Sequence, residues 1–318
     1  MRAITYSKLQ MNLFKPHIYR PWRQLLITKE PERKDTFMPG TLYLCATPIG
    51  NLEDITYRCV RILKEVDLIA AEDTRRTLTL LNHLGIEKPL TSYYEHNKAE
   101  KGPYLVQKLA DGCNVALVSD AGTPAICDPG EDLVKLCIEA GITVVPVPGP
   151  VAAVTALISS GLSTIKFVFE GFISTNRKNR IELFERLKNE TRTMIFYEAP
   201  HKLQATLEDM YKYWGNRKIT LCHELTKIHE EFIRLTLEDA VKYYENTLPK
   251  GEFVLIVEGK SEEELASEEK ASWEQMSIEE HFNYHISQGL SEKDAIKQVA
   301  KDRGMRKQDV YKEIKIAD

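Results

Sequence analysis

At 318 residues the chain exceeds one ordinary domain, and a prior of about 150 residues per domain points to two. Its 43% apolar fraction suffices for ordinary cores, while a net charge of −4 excludes a uniformly basic, nucleic-acid-coating protein, so any basic surface must be local. With no apolar run near the roughly 18 residues of a membrane span, and six cysteines that lack C-x-x-C spacing, a soluble cytoplasmic protein with reduced thiols is expected.

Between Met1 and Lys29 the chain carries six basic residues (Arg2, Lys8, Lys15, Arg20, Arg23 and Lys29) and no acidic one. Such a start can mark a transit peptide, but Pro16 and Pro21 interrupt any amphipathic pattern. Residues 1–37 therefore read as a flexible extension. From Thr41 the β-prone run TLYLCAT ends in the turn residues PIGN. A helix is expected over 56–65, where Val60 and Leu63 share a face, followed by the strand DLIAAE and a helix over 75–84. PLTSYY, a helix over 98–111, NVALVS, the helix EDLVKLCIEAG, the strand ITVVPV and the helix VAAVTALISSG continue the alternation. Short strands, apolar on both sides and separated by helices, predict a parallel sheet covered on both faces, within a domain spanning 38–162.

The rhythm breaks around 161–166, and a second α/β domain over 163–260 opens with FVFEGF. TMIFYE, KITLCHE, EEFIRL and EFVLIVEG read as strands of a mixed sheet, with helices near 180–188, 202–214 and 237–245. The acidic, Ser-containing stretch KSEEELASEEKASWEQ reads as a linker over 261–276. Residues 277–318 form a small helical domain. In it Ser291, three residues before Asp294, suits a helix cap, and Gly304 separates two short helices as a helix-turn-helix requires.

Three loops fall at the carboxyl ends of parallel strands, where ligands bind such sheets: ATPIGNLEDIT, SDAGTPAICDPG and VPGPVAAV. None carries G-x-G-x-x-G or G-x-x-x-x-G-K-[ST], so the phosphate cradle of a dinucleotide or triphosphate site is missing. Gly50, Gly122 and Gly149 let backbone approach a ligand, and Asp120 could bond an amine or a ribose hydroxyl. One such loop alone would be a tight turn. Three at one sheet edge point to a site.

With AAEDTRRT, EGF, FYEAPHKL, HELTK and GEFVLIVEG, these loops resemble the tetrapyrrole (precorrin/corrin) methylase superfamily and, within it, the bacterial family of ribosomal RNA small subunit methyltransferases I, from about residue 40 to 260. The resemblance implies an α/β, two-domain tetrapyrrole-methylase-like fold: a parallel-sheet domain plus a mixed-sheet domain, with a helical C-terminus. It further implies S-adenosylmethionine bound between the two α/β domains, 2′-O-methylation of a cytidine in the 16S rRNA of the 30S subunit, and a homodimer. Cofactor contacts would fall on Pro48, Gly50, Asp120, Ala121, Gly122, Thr123, Pro148, Gly149, Pro150, Val151 and Tyr197. In the corrin methylases the first loop has a glycine-richer, G-x-G-P-G-D-like form, where this chain has TPIGNLED.

Methyl transfer from a sulfonium is an in-line displacement, so positioning dominates, and a base helps a weakly nucleophilic sugar hydroxyl. Glu198, Glu224 and Lys227 at strand ends of the second domain are the candidates. Lys227 acts as a base only if its pKa is lowered; as a cation it would stabilise a developing alkoxide. The alternative is a structural ion pair between Glu198 and Lys227. His201 and His229 lack metal spacing, and this reaction needs no metal. RNA contacts are expected from Arg75 and Arg76, His96 and Asn97, and a mobile loop bearing Arg177, Lys178 and Arg180. In the tail, Lys301, Arg303, Arg306, Lys307 and Lys312 suit phosphates. Two other classes stay open: a corrinoid methylase of the same fold, and a helix-turn-helix regulator with a ligand-sensing α/β part.

Overall fold

A computed structural model describes residues 38–316; the extension expected over 1–37 lies outside the described residues. The first half alternates as expected. It runs β1 (Thr41–Cys45), α1 (Tyr57–Glu65), β2 (Leu68–Ala71), α2 (Thr74–His83), β3 (Leu90–Ser92), α3 (Lys98–Ala110), β4 (Val115–Val118), α4 (Gly130–Glu139), β5 (Thr143–Val147) and α5 (Ala152–Ser160). The five strands form one parallel sheet in the order β3-β2-β4-β1-β5. One apolar cluster, with Leu63, Ile69 and Ala116, covers one face; a second, with Leu105, Leu117 and Leu133, covers the other. Two covered faces explain why VALV in β4 is apolar and buried throughout. Short polar side chains start the helices: Thr56 accepts from the Cys59 N–H at α1, and Asp73 from the Arg75 N–H at α2. β1 and β4 are neighbours whose chains leave in opposite directions along the sheet, the kind of switch point where loops diverge and leave a crevice.

The second half contains β6 (Phe167–Phe172), α6 (Arg177–Arg186), β7 (Thr193–Glu198), α7 (Leu203–Trp214), β8 (Lys218–His223), β9 (Glu231–Thr236), α8 (Leu237–Glu245) and β10 (Phe253–Val257). Its sheet, ordered β6-β7-β10-β8-β9, is mixed: β6 runs parallel to β7, and the remaining pairs are antiparallel. Central β10 shows how the layers form. Phe253, Leu255 and Val257 enter a core shared with α6, α7 and α8, while Val254 and Ile256 point the other way onto Ala153, Ala156 and Leu157 of α5. Thus α5, which follows β5 of the first sheet in the chain, packs on the second.

Residues 261–276, expected as a linker, are mostly helical: α9 (Glu262–Gln275). Its start is a capping box in which Ser261 accepts from the Glu264 N–H and Glu264 accepts from the Ser261 N–H. Acid and serine content suggested solvation, yet Glu, Ala and Lys are also strong helix formers once a cap begins the helix. Then follow α10 (Ile278–Ser287), α11 (Glu292–Asp302), with the expected Ser291 cap, and α12 (Lys307–Ile316), with Gly304 at φ +63° between the last two. Among the described residues no helix is long and apolar enough to cross a membrane. All six cysteines are free.

Candidate functional site

The loops after β1, β4 and β5 converge. Thr47 and Gly122 exchange backbone hydrogen bonds of 2.8 and 3.0 Å, and the Thr123 hydroxyl donates to the Pro150 carbonyl at 2.9 Å. Gly122 stands at φ +83°, and a Cβ there would lie 3.1 Å from Ile49 Cγ2 and 3.5 Å from the Pro150 oxygen. Beside this junction lies a cavity of about 350 Å³, walled on one side by Ala121, Gly122, Thr123 and Val151 and on the other by Tyr197, Leu225, Glu252 and Phe253. That volume suits a small organic ligand.

Backbone strain concentrates on its walls. Among the described residues, four non-glycines have positive φ: Ala125, Cys127, Glu224 and Thr226. Each pair flanks one residue, Ile126 or Leu225, that lines the cavity. Such conformations are costly and gather at functional sites. Tyr197 closes the floor: its hydroxyl accepts from the Ala153 N–H at the start of α5, and its ring meets Phe169 and Phe172 edge-on at 5.0 and 5.2 Å. Burial raises its phenol pKa.

Several expected residues stand elsewhere. Asp120 faces α2: one oxygen accepts from the Asp73 N–H at 2.9 Å and the other pairs with Arg76 at 3.2 Å. With Pro48 it borders a separate hollow of about 290 Å³, so neither lines the larger cavity. Gly149 serves packing, since a Cβ would fall 2.6 Å from Ala46 Cβ, and the exposed Pro148 accepts from the Thr56 hydroxyl. Gly50 lets two loops touch: a Cβ would collide with Lys227 Cγ at 2.6 Å and the Leu225 carbonyl at 2.8 Å.

The alternative Glu198–Lys227 pair does not form. Glu198 is 2% exposed and holds its own loop, with Lys202 Nζ at 2.7 Å, the Thr206 hydroxyl at 2.6 Å and the Ala199 N–H at 2.8 Å. Its i,i+4 spacing to Lys202 was a readable signal for that partner. Lys227 instead reaches Glu224 at 2.9 Å and Glu252 at 3.3 Å, beside the cavity wall. Partial burial pulls its ammonium pKa down, but the two carboxylates more than offset this and hold it above the ordinary lysine value. A raised pKa favours the cationic role over that of a base. Burial pushes Glu224 up, and Lys227 with the Glu252 N–H more than reverses that, so Glu224 titrates below an ordinary glutamate. Glu252 was missed because its neighbours are set by strand register.

Of the expected RNA contacts, Arg75 is exposed beside Asp73, at 3.0 Å. The guanidinium of Arg75 and nearby backbone N–H groups lower the Asp73 pKa to about 2. Arg76 is largely exposed although paired with Asp120. His96 is exposed edge-on to Tyr94, whereas Asn97 braces a turn through the Tyr94 N–H and the Ser92 hydroxyl. Arg177, Lys178 and Arg180 belong to α6, capped by Asn176, and not to a mobile loop. Arg180 is buried against Asp209 at 2.7 Å, which removes it from any surface contact. Arg306, Lys307, Lys301 and Lys312 are exposed, but Arg303 donates to the carbonyls of Trp273, Met276 and Ser277.

This two-sheet frame with a cavity at its joint matches a known architecture. The sequence pattern described as Tetrapyrrole (Corrin/Porphyrin) Methylases matches residues 41–241. The fold resembles that of diphthine synthase (TM-score 0.53, 15% identity, 70% of this chain and 91% of that one). It also resembles uroporphyrin-III-C-methyltransferase from Thermus thermophilus (0.50, 21% identity, 69% and 94%). The chain belongs to the tetrapyrrole methylase family, a methyltransferase family. Relatives similar over most of its length are named Ribosomal RNA small subunit methyltransferase I. They include proteins of Halalkalibacterium halodurans (53% identity, 86% of this chain and 93% of that one), Bacillus subtilis (48%, 86% and 93%) and Synechocystis sp. (47%, 86% and 96%).

Proposed function

We propose that the chain transfers a methyl group from S-adenosylmethionine to the ribose 2′-oxygen of a cytidine in 16S rRNA of the small ribosomal subunit. The observation that carries this reading is the cavity between the loops of the two sheets, bordered by the Gly122 junction and, at its far wall, by Glu252, which pairs with Lys227. The relatives' names supply the substrate class, and the motif resemblance supplies the ribose oxygen.

The residues present fit the donor. Gly122, at φ +83°, holds a backbone conformation that L side chains rarely adopt, and the neighbouring walls are largely apolar, with an aromatic floor at Tyr197. Ala121, Gly122, Thr123, Val151 and Tyr197 would hold the cofactor, with Pro150 bracing Thr123 through its carbonyl; the cofactor supplies an electrophilic methyl on a cationic sulfur. Lys227, held protonated by Glu224 and Glu252, would stabilise negative charge as it develops on the attacking oxygen, a contribution that grows only in the transition state. Glu224 orients Lys227. RNA is gripped by the exposed cations Arg75, Arg76, Arg177, Lys178, Arg306 and Lys307, with His96 available for stacking. The working unit is a homodimer, as the resemblance implies.

The test is incubation with methyl-labelled S-adenosylmethionine and 30S subunits from a strain lacking the modification, followed by nuclease digestion and mass spectrometry. The expected product is 2′-O-methylcytidine. Label on a base, on a corrinoid only, or nowhere overturns the reading.

A further inference from the structure

The tail holds a cluster that methyl transfer does not use. His281 and His285 lie one turn apart on α10 and face Asp302 at the end of α11. His281 Nε2 to His285 Nε2 is 3.1 Å, His285 Nε2 to Asp302 Oδ2 is 3.1 Å, and His281 Nε2 to Asp302 Oδ2 is 3.4 Å. We propose that these three side chains bind one divalent transition-metal ion, zinc by ligand type, which pins α10 to α11.

Hydrogen bonding alone does not satisfy this triangle. With Asp302 ionised, a proton on both ring nitrogens sets two N–H groups face to face. A proton on only one leaves a ring nitrogen lone pair against the carboxylate. A cation at the centre satisfies all three lone pairs. Tetrahedral zinc, with bonds of about 2.0–2.1 Å, spaces its ligand atoms about 3.3 Å apart, which matches the observed edges. Two histidines at i,i+4 plus a carboxylate from a second helix is a first-row metal donor set. A solvent molecule would complete the coordination, since His285 and Asp302 keep slight exposure.

The surroundings agree. The Gln298 amide donates to the other Asp302 oxygen, orienting the carboxylate as an outer partner does. Arg303 Nε donates to His281 Nδ1, so metal on Nε2 requires that contact to loosen; its Nη2 keeps three carbonyl acceptors.

The full-length protein, stripped with chelator, is titrated with Zn²⁺ by calorimetry and with Co²⁺ by visible absorption. One site per chain is expected, weakened at least about 100-fold in His285→Ala and in Asp302→Ala and retained in His229→Ala. Because the Trp273 ring stacks on His281 at 4.1 Å, bound Co²⁺ quenches Trp273 fluorescence in the wild type, a readout that survives if either variant misfolds. Absence of a saturable site in the wild type overturns the proposal. So does binding unchanged in both ligand variants, or binding without quenching of Trp273.

Discussion

Lys227 has two carboxylates within 3.3 Å and a pKa raised by them, so its positive charge is permanent at working pH. Lys227→Met should therefore lower the single-turnover methylation rate by about 10²–10³-fold while leaving cofactor and subunit affinities nearly intact. A folded variant with wild-type rate would remove Lys227 from the chemistry. Gly122 and Asp120 separate in the same way. Gly122→Val places side-chain atoms against Ile49 and Pro150, and calorimetry should show cofactor affinity falling by at least about tenfold. Asp120→Ala should leave that affinity within about twofold, because both of its oxygens are engaged with Asp73 and Arg76; equal losses in the two variants would contradict the geometry. Glu190 carries an acid-sensitive contribution. The Arg192 guanidinium foremost holds its carboxyl at about 2, down from 4.5, so its stability is present above pH 4.5 and is lost as pH falls toward 2. Arg192 is half exposed, so solvent screening keeps that contribution small. Urea midpoints of wild type and Glu190→Gln should differ slightly at pH 6 and converge near pH 2.

Among the elements, α9 tests how far local composition can mislead. Its sequence is acidic and serine-containing, but the reciprocal Ser261–Glu264 cap satisfies two backbone donors and starts the helix. Ser261→Ala should cost about 1 kcal/mol locally and speed amide exchange over 262–266. Unchanged exchange would return the segment to a linker. In α5 the physics is opposite: Ala153, Ala156 and Leu157 pack on Ile195, Cys222 and Val254 of the second sheet, while Val154 and Ile158 are exposed. Such an apolar run reads in sequence as a core helix, but not as the element whose first turn borders the cavity.

At the scale of the whole molecule, catalysis and grip are carried by different parts. The cavity draws on both sheets, whereas the exposed cations Lys301, Arg306, Lys307 and Lys312 lie in the helical tail. Removing 277–318 should leave cofactor affinity unchanged but weaken binding to 30S subunits, with the salt slope reduced by about 0.7–0.9 for each phosphate that the tail neutralises. Identical affinity and slope would make the tail a structural appendage.

The sequence by itself determined the α/β class, the alternation of elements, the parallel and mixed sheets and the three Pro/Gly loops, because periodicity and turn chemistry are local properties. It also contained the Ser291 cap and the Glu198–Lys202 spacing. Tertiary structure alone decided which carboxylate each cation meets. Glu224 and Glu252 are neighbours because the β8–β10 register pairs His223 with Phe253, and that register brings Lys227 to Glu252 beside the cavity. Arg180 is buried because α6 packs on α7 and presents it to Asp209, and Asp120 turns to α2 because the Asp73 N–H and Arg76 lie there. A side chain's charge is written in the sequence, but its partner depends on a fold that brings distant segments within about 3 Å, and hydrogen bonds at that range are what select it.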